Sequence, residues 1–191
     1  MKKYGVIEMT DVESLRIGTV IVSQELMGLV QYHGHLCPEL AIGYRVSKIA
    51  ITELGITRGN SLNFIAGAAN SSSAVDAIQY LTGCTIGKQS FFIEDTGKHV
   101  YFFARRPLQP LTGQGLIIKI KTPVYNPQLL NKEMAKDVET QLQDPGKLLQ
   151  YRAAIDIAIR KILNWPDKRL FDVFYADLNG GLLKQNSKLY N

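Results

Sequence analysis

Residues 32–45, Tyr-His-Gly-His-Leu-Cys-Pro-Glu-Leu-Ala-Ile-Gly-Tyr-Arg, commit the chain to a corner between two helices. Pro38 suits the first turn of a helix, where its missing N–H is no loss and its fixed φ is already helical. That makes Cys37 the N-cap. Leu40, Tyr44, Ser47, Ile51 and Leu54 then recur at helical spacing, and Gly55 supplies the stop. Upstream, Leu26, Leu29 and Val30 lead from Ser23 towards His33 at the same period, and Gly34 ends that helix. The corner therefore sets His33 at one helix end and Cys37 at the next helix start, with His35 between them.

Any chemistry this chain performs is expected at that corner. A cysteine at an N-cap sits in the positive end of the helix macrodipole beside exposed N–H donors, which predicts a lowered thiol pKa. Neutral imidazole is the commonest metal ligand and the commonest proton carrier. If the turn folds back, His33, His35 and Cys37 face one point, and Cys84 offers a fourth ligand. Two imidazoles with one or two thiolates suit Zn²⁺ tetrahedrally and also accept Ni²⁺. Without a metal, the same residues read as a thiol nucleophile, Cys37, with His33 or His35 as base and Asp76 to orient it. A third reading is structural, with a histidine at a helix end and a cysteine as a small buried hydrophobe. All three stand open at this point.

Composition narrows the classes around that corner. The chain has 191 residues, enough for a single domain with a sizeable core, and its 46% hydrophobic and 20% charged content is that of an ordinary globular protein. Lys2 and Lys3 are followed by Glu8 and Asp11, which interrupt any signal-like apolar run, and no stretch approaches the length of a spanning helix. A cytoplasmic protein, off the membrane, is the expectation. The formal charge of +5 lies in the second half: residues 1–95 hold seven Lys/Arg against nine Asp/Glu, residues 96–191 fifteen against eight. These cations are dispersed, which predicts a solvated surface and no nucleic-acid partner. The two cysteines, Cys37 and Cys84, form no CxxC, so a structural zinc finger is excluded on ligand count.

Thr10-Asp-Val-Glu13 has the capping-box pattern, and in residues 17–22 β-branched side chains around Gly18 leave helix and strand in competition. Residues 60–69 read as a short buried strand, and Asn70-Ser-Ser-Ser73 supplies N-caps for a helix carrying Ala74, Ala77, Ile78 and Leu81 that Gly83 ends. Residues 90–93, 99–104 and 115–120 read as strands, with His99 alternating among core aromatics as a strand histidine and Lys88 as a solvated lysine. Residues 131–143 and 145–164 read as helices. Asp144 is placed to cap the second, Pro145 to open it, and Leu148, Arg152, Ile155, Ile159 and Ile162 to form one face. A last strand over 169–178 and a polar tail over 179–191 complete the expectation. The fold class predicted is α+β, a mixed sheet of about five strands flanked by helices, as one domain over residues 1–178.

Taken together, residues 32–38, 40–45, Val-Asp-Ala-Ile-Gln-Tyr-Leu-Thr-Gly-Cys-Thr-Ile-Gly-Lys (75–88) and Asp-Thr-Gly-Lys (95–98) resemble the formylmethanofuran dehydrogenase E-subunit family, over about residues 23–105. The resemblance implies an α+β core domain, a homodimer, and a metal or thiol site at the His-x-His-x-Cys turn. Some members accompany the molybdenum or tungsten enzyme of methanogenesis. It therefore implies a metal-binding accessory domain in one-carbon or molybdenum/tungsten redox metabolism, with a small ligand or such an oxidoreductase as partner. The other expectations are a thiol enzyme and a dimeric scaffold. This chain departs from the family pattern where Ser73 replaces a frequent cysteine and Glu39 replaces the usual glycine after Cys-Pro. Residues past Leu178 lack the cysteine-rich zinc module that many relatives append.

Overall fold

The computed structural model describes residues 15–106, 114–121 and 145–177. Among these, Gly18 at φ +55° decides the competition in residues 17–22 for strand, turning a small hairpin of β1 (Arg16–Ile17) and β2 (Val20–Ile21). Helices α1 (Gln24–His33) and α2 (Pro38–Leu54) follow. Ser23 caps α1 by accepting from the Leu26 N–H, and Gly34, at φ +103°, stops it. A single 3₁₀ turn (Ser61–Asn63) leads into β3 (Phe64–Ala68), which is buried along its length. Helix α3 (Ser73–Thr82) is capped by the Ser72 hydroxyl and ended by Gly83. Strands β4 (Phe91–Ile93), β5 (Val100–Arg105) and β6 (Gln114–Ile120) precede the long helix α4 (Pro145–Asn164). One helical turn, α5 (Asp167–Leu170), then delays the last strand, β7 (Phe171–Asp177), by two residues from its expected start. The capping box at 10–13, the helix expected over 131–143, the Asp144 cap and the tail from 179 lie outside the described residues.

The five strands run β4-β3-β5-β6-β7, parallel between β3 and β4 and antiparallel elsewhere, which is the mixed sheet and α+β class expected. Alternation along β5 divides its aromatics between two faces. Tyr101 and Phe103 join Leu29, Leu40, Val46, Ile78, Ile159 and Ile162 in the core under the helices, while Phe102 joins Ile65, Val100 and Ile117 on the opposite face. Phe92, on the edge strand β4, is 41% exposed and belongs to neither. No helix among the described residues is long and apolar enough to cross a membrane.

Two contacts of α2 position everything that follows. A Cβ on Gly43 would come within 2.5 Å of the Ala74 backbone, so the glycine lets α2 and α3 approach closely. Arg45 reaches across to the end of α4, donating to the carbonyls of Ile162, Leu163 and Trp165 at 2.6–2.8 Å and to the Asp167 carboxylate. These are the carbonyls a helix C-terminus leaves without partners of its own.

Candidate metal centre

Cys37 is the N-cap of α2, with extended backbone angles and its Sγ accepting from the Leu40 N–H at 3.4 Å. Four residues earlier, His33 closes α1, and His35 lies in the connection between the helices. The expected corner forms. The ligand atoms of His33, His35 and Cys37 all lie within 4.8 Å of one another, and the two imidazole rings are 4.8 Å apart between centroids.

Helix α3 completes the arrangement from below. Asp76, in its first turn, holds His33 Nδ1 at 2.8 Å. That contact fixes the ring and leaves Nε2 available as a ligand atom; it is buried without a hydrogen-bond partner among the described residues. A buried imidazole nitrogen left without a partner costs free energy. A carboxylate holding the far nitrogen of such a ring is the usual support of a metal-ligating histidine. The Ser73 hydroxyl, in the first turn of α3, acts on the Cys37 thiol and lowers its pKa in part. The phenol of Tyr151, on α4, is pushed up by burial and by the charge a Cys37 thiolate would carry.

Two expectations change. Cys84 does not join the cluster: it follows the C-terminal cap of α3, whereas Ser73 and Asp76 meet the cluster at the helix's opposite end. Ten helical residues separate these ends, about 15 Å. Cys84 is fully buried with its Sγ against the Ser61 carbonyl, and burial raises its pKa. The Cys37 thiol is also raised, not lowered. Desolvation outweighs the stabilising bonds from Leu40, Ser73 and the Glu39 N–H, and the Glu39 carboxylate adds to the rise. A neutral thiol at neutral pH works against a metal-free nucleophile. A bound cation would remove that proton outright.

Beside the cluster runs a polar network that local sequence reading missed. Glu39, the second residue of α2, lies 3.4 Å from His99 Nε2. His99 Nδ1 is 2.9 Å from the Tyr101 hydroxyl and 3.2 Å from the Asn70 amide nitrogen. An amide nitrogen only donates, so His99 Nδ1 accepts and its Nε2–H points to Glu39. Asn70 Oδ1 in turn accepts from the Ser72 hydroxyl that caps α3. His99 is thus a connector placed just ahead of β5, and the serines of 70–73 serve both capping and contact with the cluster. The signal available was the concentration of Asn and Ser beside a buried strand; their partners are distant in sequence.

The family model described as FmdE, molybdenum formylmethanofuran dehydrogenase operon, matches residues 32–172. A crystal structure of a tungsten formylmethanofuran dehydrogenase FmdE-like protein from Syntrophus aciditrophicus superposes with a TM-score of 0.52, covering 92% of this chain and 82% of that one. At 18% identity this likeness shows the fold. A probable S-adenosyl-L-methionine-binding protein of Archaeoglobus fulgidus is 33% identical over 85 residues, 42% of this chain and only 23% of that protein's length. Protein 7 of Escherichia phage T7 is 25% identical over 100 residues, 52% of this chain and 70% of its own.

Proposed function

The chain belongs to the FmdE family, and on that premise we propose that it is a metal-binding accessory domain of one-carbon or molybdenum/tungsten redox metabolism. His33, His35 and Cys37 are its ligands. It acts in the cytoplasm as a homodimer beside an oxidoreductase of the kind for which the family is described. The observation that carries the metal assignment is the buried His33 Nε2, without a partner among the described residues, in a ring that Asp76 holds beside His35 and Cys37. Two imidazoles and a thiolate suit Zn²⁺ first and Ni²⁺ next. Three protein ligands with a fourth position open is the set of a site that takes a further ligand, not of a purely structural one. Bound there, the ion supplies Lewis acidity and holds Cys37 as thiolate.

Elemental analysis of protein purified without added metal, followed by chelation and calorimetric titration with Zn²⁺ and Ni²⁺, tests this reading. We expect about one ion per chain and a rise in melting temperature on binding. Cys37→Ser abolishes binding, and Asp76→Asn weakens it roughly 10–100-fold with the fold intact. Protein that holds no transition metal, and whose melting temperature does not respond to either ion, defeats the assignment.

A further inference from the structure

One turn further along α3 from Asp76, a separate cleft of about 360 Å³ opens between the C-terminal ends of α1 and α3. Tyr32, Arg58, Tyr80, Gly83 and Lys88 line it, and no acidic residue does among the described residues. Both cations are held in place. Arg58 Nε donates to the Tyr80 carbonyl at 2.7 Å, with its guanidinium carbon 4.2 Å from the centre of the Tyr80 ring. Lys88 Nζ donates to the Gly83 carbonyl and the Ser61 hydroxyl at 3.1 and 3.2 Å.

Neutralising the carbonyl end of α3 explains part of this arrangement. It does not explain the two terminal nitrogens of Arg58, which have no partner among the described residues, or the aromatic wall. Tyr32, 60% exposed, stands with its ring 5.3 Å from that of Tyr80. Tyr80 in turn lies so close to α1 that a Cβ on Gly28 would meet its hydroxyl at 2.6 Å. A glycine inside a helix costs about 1 kcal/mol, so α1 gives up stability to let this ring lie where it does.

We propose that this cleft binds a small phosphate-bearing ligand with a planar ring. The phosphate dianion sits between the Arg58 fork and the Lys88 ammonium, and the ring lies against Tyr32. Two fixed cations match two negative charges, an open guanidinium fork matches phosphate geometry, and the volume falls at the small end of ligand sites. The site does not depend on the metal cluster.

Calorimetric titration of the full chain in excess chelator, with adenosine monophosphate, adenosine and inorganic phosphate as probes, tests it. The nucleotide is expected to bind saturably at one site, with adenosine and phosphate each at least about tenfold weaker. Arg58→Met and Tyr32→Ala each lower nucleotide affinity by about fivefold or more. Tyr32 anchors no backbone group, so its variant reports on binding even if Arg58→Met unsettles the end of α3. No saturable binding of the nucleotide up to about 5 mM, equal affinity for nucleotide and phosphate, or unchanged affinity in Tyr32→Ala would overturn the proposal.

Discussion

Cys37 shows how one residue answers to competing local forces. Its N-cap geometry could be read from the Cys-Pro pair, since only a helix start uses proline without loss. Its proton affinity could not, because the dominant influence is burial, which depends on packing with elements distant in sequence, such as α3, whose Ser73 acts on the thiol. The raised pKa has a definite sign. The fold favours the neutral thiol, so the stability this confers is intact below the ordinary thiol pKa and is lost as the pH rises through the folded value. The same sign governs reactivity. In chelated protein at neutral pH, iodoacetamide should modify Cys37 more slowly than it modifies the same cysteine in denaturant, and the rate should climb only at alkaline pH. Mass-spectrometric labelling followed over time measures it. Native labelling at pH 7 as fast as in the unfolded chain would show that the dipole, not burial, sets this thiol. Ser73 and Asp76 make the complementary point. The sequence offered Asp76 as an orienter of either His33 or His35, and only the packing of α3 against α1 makes it the support of His33.

At the scale of elements, periodicity and punctuation were enough wherever a helix carried its own stop signals. Helices α1, α2 and α3 begin at Ser23, Cys37 and Ser72 and end at Gly34, Gly55 and Gly83, all three in left-handed conformations that glycine adopts freely. What the pattern did not supply was the distance between elements. Gly43 looks like a defect in α2 on propensity alone, and replacing a mid-helix glycine by alanine normally gains about 1 kcal/mol. Here the added methyl would press on the Ala74 Cα and carbonyl at 2.5 Å, and backbone cannot step aside as a side chain can. We expect Gly43→Ala to destabilise the protein by about 1–3 kcal/mol despite its better propensity, and to disturb the cluster because α2 carries Cys37 and α3 carries Asp76. Urea unfolding measures the first effect and metal titration the second. An unchanged or increased midpoint would mean that the helices separate without cost.

Across the whole molecule, the site depends on a helix that contributes little to its local sequence signature. The cluster is built from α1, α2 and α3, but α4, which begins more than a hundred residues from Cys37, carries Tyr151, whose phenol senses the charge of that thiol. Its docking rests on Ile159 and Ile162 in the core, on the hairpin through Thr19 to Asp156 and Arg160 to the Thr19 carbonyl, and on Arg45. The periodicity of α4 placed Ile159 and Ile162 on its buried face, although Arg152, expected on that face, is exposed. Nothing local predicted that an arginine of α2, read only as part of a family motif, would cap it. Arg45 is half of a mechanical link: one end sits two turns beyond Cys37 on α2, and the other gathers three carbonyls and a carboxylate at the α4 terminus. Its side chain is 14% exposed, so these bonds form in a partly desolvated place, where leaving a carbonyl without a donor costs about 1–3 kcal/mol. Arg45→Met should therefore destabilise the protein by about 2–4 kcal/mol, less than the sum of its bonds because water reaches some of the freed carbonyls. Arg45→Lys, with one point charge in place of a planar fork, should recover only part of that loss. Hydrogen exchange locates the effect: amides of α4 should lose protection in both variants before those of α3 or the central strands do, and metal affinity should fall in step as α4 loosens from the helix that carries Cys37. If α4 keeps wild-type protection in Arg45→Met, the helix is held by its apolar face alone, and the link from α2 through Arg45 to the site does not exist.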